Sequence, residues 1–175
     1  MVVKIGSKAP NLKISKWVQG LPTNIDKLKD SVVLVEVFQV NCPGCFLYGI
    51  PEATEIYKKY RDDSIKVIGL ATAFEDYDKN TLENLALLLT TGEVIGETRN
   101  LLGQYGQLKE NKFLSYKILF PVAMDSLLKE KGILAFLLKL EDNALEKVPS
   151  LFPYISRINI SLFLRNIRSM LGRKK

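Results

Sequence analysis

The chain has two cysteines, and they stand together as Cys42-Pro43-Gly44-Cys45. Two thiols three positions apart at the start of a helix can close a disulfide within one turn. The first also lies where unpaired backbone N–H groups favour a thiolate. The chemistry this spacing suits is dithiol exchange. A Cys42 thiolate attacks a partner disulfide to give a mixed disulfide, and Cys45 then displaces the partner and leaves the pair oxidised. Cys42 is thus expected to be the accessible, attacking thiol, and Cys45, one turn in, the more buried, resolving one. Pro43 suits the first helical turn, where its missing N–H costs little. Two other readings use the same residues. The pair could be half of a zinc site, completed by carboxylates or by a second copy, or it could be two inert buried thiols.

The flanking sequence favours the redox reading. Residues 32–40 form a near-continuous apolar, β-branched run, the pattern of a strand buried on both faces. Within it stands one ionisable residue, Glu36. A carboxylate buried without a cationic partner has its pKa raised by desolvation, which makes it a proton acceptor near neutral pH. Glu36 is the candidate base for the Cys45 proton; the alternative is a sheet-edge glutamate whose head reaches solvent.

After the cysteines the spacing changes to three- and four-residue steps through Phe46, Ile50, Ala53, Ile56, Tyr57 and Tyr60, which predicts an amphipathic helix. Pro51 is expected to kink it, by removing one hydrogen bond and crowding the Leu47 carbonyl. A second strand is expected over residues 64–72. Strand, helix and strand of this length make a right-handed βαβ unit with the cysteines at the carboxyl edge of the sheet. Further along, Leu12, Ile14 and Trp17 mark an early strand, and residues 22–30 a turn with a short helix. Asn80 and Glu83 resemble a capping box for a helix through residue 90. A short helix is expected around residues 95–102, and a third buried strand over 116–124, interrupted by Pro121. Beyond Asp125 the pattern is helical.

The totals bound the rest. At 175 residues and 47% hydrophobic content the chain can bury a real core. It has no histidine, which removes His-activated nucleophiles and His-ligated metal sites. Arg157, Arg165, Arg168, Arg173, Lys174 and Lys175 supply the whole net charge of +6, and the remaining 19 basic residues balance 19 acidic ones. This basic tail, with Ile160, Leu164, Ile167 and Leu171 on one helical face, suits packing on the body, with contact to an anionic membrane surface or an acidic partner as the other use. Nucleic-acid binding has no motif to support it. The start of the chain lacks the pattern of a signal peptide, and no apolar run approaches bilayer length. A cytoplasmic protein is the expectation, and there a lone cysteine pair is more often catalytic or metal-binding than structural.

Taken together, Ile5-Gly6-Ser7-Lys8-Ala9-Pro10-Asn11-Leu12, residues 32–40, the Cys42/Cys45 motif and Phe120-Pro121-Val122-Ala123-Met124-Asp125 resemble thioredoxin-fold proteins of the redoxin branch (TlpA-like and peroxiredoxin-like). The resemblance covers about residues 5–125. It implies an α/β thioredoxin-like fold, a central mixed sheet flanked by helices, over residues 1–125, with 126–175 as a helical C-terminal segment. It also implies protein disulfide substrates, an upstream thiol reductant, no cofactor or metal, and a part in redox homeostasis and antioxidant defence. Glu36 falls where thioredoxins carry their buried acid, and Pro51 resembles the kinking proline of the active-site helix. Asn41 departs from the usual tryptophan, and the inner dipeptide is Pro-Gly rather than Gly-Pro. Pro149 and Pro121 are the candidates for the cis-proline of the fold. A peroxidase is the alternative enzyme, but peroxiredoxins carry Thr or Ser and Pro where this chain has Gln39 and Val35. A non-catalytic binding module is the alternative outside enzymology.

Overall fold

The computed structural model describes residues 9–60 and 65–126. The expected helical segment over 126–175, its basic tail and Pro149 thus lie, Ser126 apart, outside the described residues. The chain runs β1 (Ile14–Gln19), a 3-10 turn (Ile25–Lys27), β2 (Val32–Phe38), a π-turn (Cys45–Gly49) continuing into α1 (Ile50–Tyr60), and β3 (Ile65–Ala71). Then follow α2 (Leu82–Thr91), α3 (Gly96–Gln104), a small hairpin of β4 (Leu108–Lys109) and β5 (Phe113–Leu114), and β6 (Val122–Asp125).

The main sheet has the order β1-β6-β3-β2. β2, β3 and β6 are mutually parallel, and β1 pairs antiparallel with β6. The mixed sheet expected from the sequence is therefore present, with β2 and β3 joined through α1. Among the described residues β2 is an edge strand, and its first residue, Val32, is exposed. The apolar run that predicts a strand buried on both faces is fully covered only at its carboxyl end.

Alternation along β2 sorts the residues onto two faces. Leu34 and Phe38 face the larger core, with Phe46, Ile50 and Ala53 of the cysteine helix and with Phe120 and Val122. Val35 and Val37 face a smaller cluster with Leu70, Ala123, Ile14 and Trp17. Burying each such large side chain contributes roughly 1.5–3 kcal/mol. The cysteine helix is pinned mainly by this means.

Three expectations need correction. Residues 116–121 are not strand; β6 begins only after Pro121, which has no N–H to give a ladder. No peptide bond among the described residues is cis, so Pro121 is trans. The cap of α2 is Thr81, not Asn80: the Thr81 hydroxyl accepts from the Asn84 N–H at 3.2 Å. Asn80 is drawn inward instead. The hairpin β4–β5 carried no sequence expectation; Glu110 and Asn111 turn it with φ of 53° and 51°.

Candidate active site

Cys42 and Cys45 are joined by a disulfide at the carboxyl end of β2, with their Cα atoms 5.4 Å apart. Pro43 and Gly44 begin the helix, and the Cys45 N–H donates to the Cys42 carbonyl at 3.0 Å. Both cysteines are half-buried, so exposure alone does not separate them. Packing does: Cys45 lies against the main core, whereas Cys42 is not part of it. Tyr48, on the same turn, is exposed. Among the described residues no group of three or more metal-ligating side chains is present.

Glu36 lies on the same face of β2 as Leu34 and Phe38, beneath the helix that starts at the cysteines. It is buried, and its carboxyl is raised to about 7, first by burial and second by the negative charge of Glu52. Across the parallel ladder its register partner is Gly69. A Cβ at Gly69 would come within 2.7 Å of the Phe120 ring. The missing side chain thus lets an aromatic ring lie against the strand pair that carries the acid. Gly69 and Phe120 are members of the site that sequence reasoning did not single out. A glycine inside an apolar strand is the signal that could have found them.

The backbone leading into Cys42 is held by a buried polar network, also unforeseen in the sequence. The Gln39 side-chain oxygen accepts from the N–H groups of Phe74 and Glu75 and from Asn80 Nδ2. Asn80 Oδ1 accepts the Asn41 N–H at 2.8 Å, and its Nδ2 also donates to the Glu75 carbonyl. Asn41 donates to Asp76 Oδ2 at 2.6 Å and accepts from the Thr98 N–H at the start of α3. The Thr98 hydroxyl donates to the Val40 carbonyl. Gly96, at φ +52°, completes the cradle, because a Cβ there would collide with Asn41 Oδ1. Asn41, the departure from the usual tryptophan, is the hub that ties the cysteine loop to two other loops.

On the other side of the pair the helix opens into a π-turn, in which the Ile50 N–H reaches back to the Cys45 carbonyl. Pro51 follows at once. The expectation that Pro51 crowds the Leu47 carbonyl is therefore shifted by one residue, because this register aims position 51 at the carbonyl of Phe46. That carbonyl accepts the Tyr116 hydroxyl at 2.8 Å. The π-turn absorbs the proline within the helix's own course.

No protein-family model matches the chain. Protein FixW of Rhizobium leguminosarum is 29% identical over 73 residues, which is 42% of this chain and 32% of that protein, so the match spans about a third of the curated relative's length. A thiol-disulfide isomerase from Corynebacterium glutamicum, a crystal structure, aligns over 71% of this chain and 61% of its own, at 29% identity and a TM-score of 0.46. The thioredoxin-like superfamily protein SPOA0173, also a crystal structure, aligns over 74% of this chain and 71% of its own, at 27% identity and a TM-score of 0.51. This last likeness agrees with a fold built independently from the strand order and the parallel β2–α1–β3 unit. A disulfide closed at Cys-x-x-Cys spacing, where that unit begins its helix, supports a redox function for the pair. The chain has a thioredoxin-like fold and carries its dithiol where the β2–α1–β3 unit begins its helix.

Proposed function

We propose that the protein is a thiol–disulfide oxidoreductase acting on protein disulfides, with Cys42 as the attacking thiol, Cys45 as the resolving thiol and Glu36 as the proton acceptor. The observation that carries this reading is the Cys42–Cys45 disulfide at the end of β2, the strand that also carries a buried carboxylate whose pKa is raised to about 7. In the reducing direction the Cys42 thiolate attacks one sulfur of a substrate disulfide. A Cys42–substrate bond forms, the substrate S–S bond breaks, and one substrate thiolate leaves. Cys45 passes its proton to the Glu36 carboxylate and attacks the Cys42 sulfur. The intramolecular disulfide forms and the second substrate thiolate is released. Two electrons pass to the substrate, and an upstream dithiol reductant returns them. The reverse sequence makes the protein an oxidant.

Packing supports the division of roles. Cys45 lies against the core on the face that Glu36 shares, and Cys42 does not. The peroxidase alternative gains nothing: Gln39, where peroxiredoxins place a hydroxyl, is buried and committed to the backbone of residues 74 and 75. A cytoplasmic setting belongs to the proposal and rests on the use of one cysteine pair in the whole chain. Among the described residues no helix is long and apolar enough to cross a membrane.

The test is the reduction potential of the pair against a glutathione or dithiothreitol series, read by alkylation and mass. A two-electron transition at low potential fits a cytoplasmic reductant, and one at high potential an oxidant or isomerase. Failure to form the intramolecular disulfide removes the enzyme and leaves the binding module. For the roles, Cys45→Ser should trap a Cys42 mixed disulfide and Cys42→Ser should trap none. Equal trapping by both variants sinks the assignment.

A further inference from the structure

Resting on the dithiol reading above, we propose that Tyr116 is a positioning residue for Cys45, acting through its hydrogen bond to the Phe46 carbonyl. In an α-helix that carbonyl would accept from the Ile50 N–H. Here the Ile50 N–H is taken by the Cys45 carbonyl, one residue earlier. In the π register the donor to Phe46 would be residue 51, and residue 51 is a proline with no N–H. The helix thus leaves the Phe46 carbonyl without a donor of its own, at a residue that is buried. Tyr116, from the irregular stretch before β6, supplies one at 2.8 Å. Burial holds its phenol well above the ordinary range, so it keeps its proton wherever thiol exchange runs.

The Phe46–Leu47 peptide, one residue past Cys45, is therefore fixed from outside the helix, by a residue 70 positions away in sequence. Its effect falls on resolution. In that step the Cys45–Cys42 bond forms, the Cys42–substrate bond breaks, the substrate leaves as thiolate, and the Cys45 proton goes to Glu36. Cys45 must swing onto a sulfur one turn away, and its backbone sets that reach. The earlier attack by Cys42 does not draw on this contact.

The experiment uses the full chain, oxidised glutathione as the probe disulfide, and three variants: Tyr116→Phe, Pro51→Ala and the double. Quenched-flow alkylation with mass readout separates formation of the Cys42–glutathione disulfide from its resolution. Tyr116→Phe should slow resolution about tenfold, on the scale of one orphaned buried acceptor, and leave attack nearly unchanged. Pro51→Ala restores an N–H to the helix, so the double variant should recover most of the loss. A general structural weakening would slow both steps and would not be rescued. Wild-type resolution in Tyr116→Phe overturns the proposal, as does a folded double variant that stays slow. Should Tyr116→Phe alone fail to fold, the double variant carries the test on the same criterion. If the wild-type chain never closes its own disulfide with this probe, the dithiol reading fails first, and the positioning role falls with it.

Discussion

The backbone on the two sides of the cysteine pair is held by opposite means. Leading into Cys42, residues 39–41 are enclosed by amides, carboxylates and a hydroxyl, with Gln39, Asn41 and Asn80 all buried and all hydrogen-bonded. Leaving Cys45, the chain packs with Phe38 and Phe120 in the main core, and β2 sets the buried, ionisable Glu36 on that same face. The first side satisfies every demand locally and is rigid for that reason. The second leaves a carboxyl group where its charge is costly, which is what makes its proton available near neutral pH. In the proposed mechanism the first side carries the attacking sulfur and the second handles the proton.

Removing the Asn80 side chain, which holds both Asn41 and Gln39, is the strongest way to break this contrast. Asn80→Ala orphans the Asn41 N–H and withdraws a donor from Gln39. It should lower stability by about 4 kcal/mol in urea unfolding of the oxidised protein. A loss below about 1 kcal/mol would mean that the network is replaceable by water.

The proton-handling side is tested by pH. Glu36 is raised from 4.5 to about 7, so between those values the folded chain holds a proton that the unfolded chain releases. The stability from this group is therefore fully present below about pH 4.5 and is lost as pH rises through about 7. The slope is about 1.4 kcal/mol per pH unit, about 3 kcal/mol in all. Glu36→Gln should flatten that decline, and in the reaction it should slow resolution while sparing attack. An unchanged pH profile would remove Glu36 from proton transfer and leave it a structural residue.

Gly96→Ala sharpens the comparison from the polar side. It combines a left-handed backbone with a collision against Asn41 Oδ1, and about 2 kcal/mol of destabilisation is expected in the same unfolding assay. Loss of stability without any change in reduction potential would separate the cradle's structural role from the chemistry. Thr81→Ala is the smallest effect, about 1 kcal/mol, from the loss of the α2 cap. It should leave both sides of the dithiol untouched, and a shift in potential would show that α2 is coupled to the site.

What could be read in advance follows the range of the interactions. The β2–α1–β3 unit was legible because strand and helix periodicities are local and a Cys-x-x-Cys pair marks the junction. Glu36 was legible because an ionisable residue in an apolar strand is an anomaly at any resolution. Asn80 was misread as a helix cap because Asn followed three residues later by Glu is a good local signature. What overrode it was the demand of the Asn41 N–H, on a residue 39 positions away. The π-turn was illegible for a similar reason: a proline predicts a lost hydrogen bond, but not which carbonyl is left over.

By itself the sequence determined the dithiol, its place at a helix start, the parallel unit that presents it, and the buried acid beneath. All of these are set by residue type and spacing within one element or its neighbours. The tertiary structure alone decided that Gly69 makes room for Phe120, that Asn80 serves the cysteine loop, and that Tyr116 satisfies Phe46. Each depends on bringing together groups far apart in the chain, and only the closed fold fixes which of them meet.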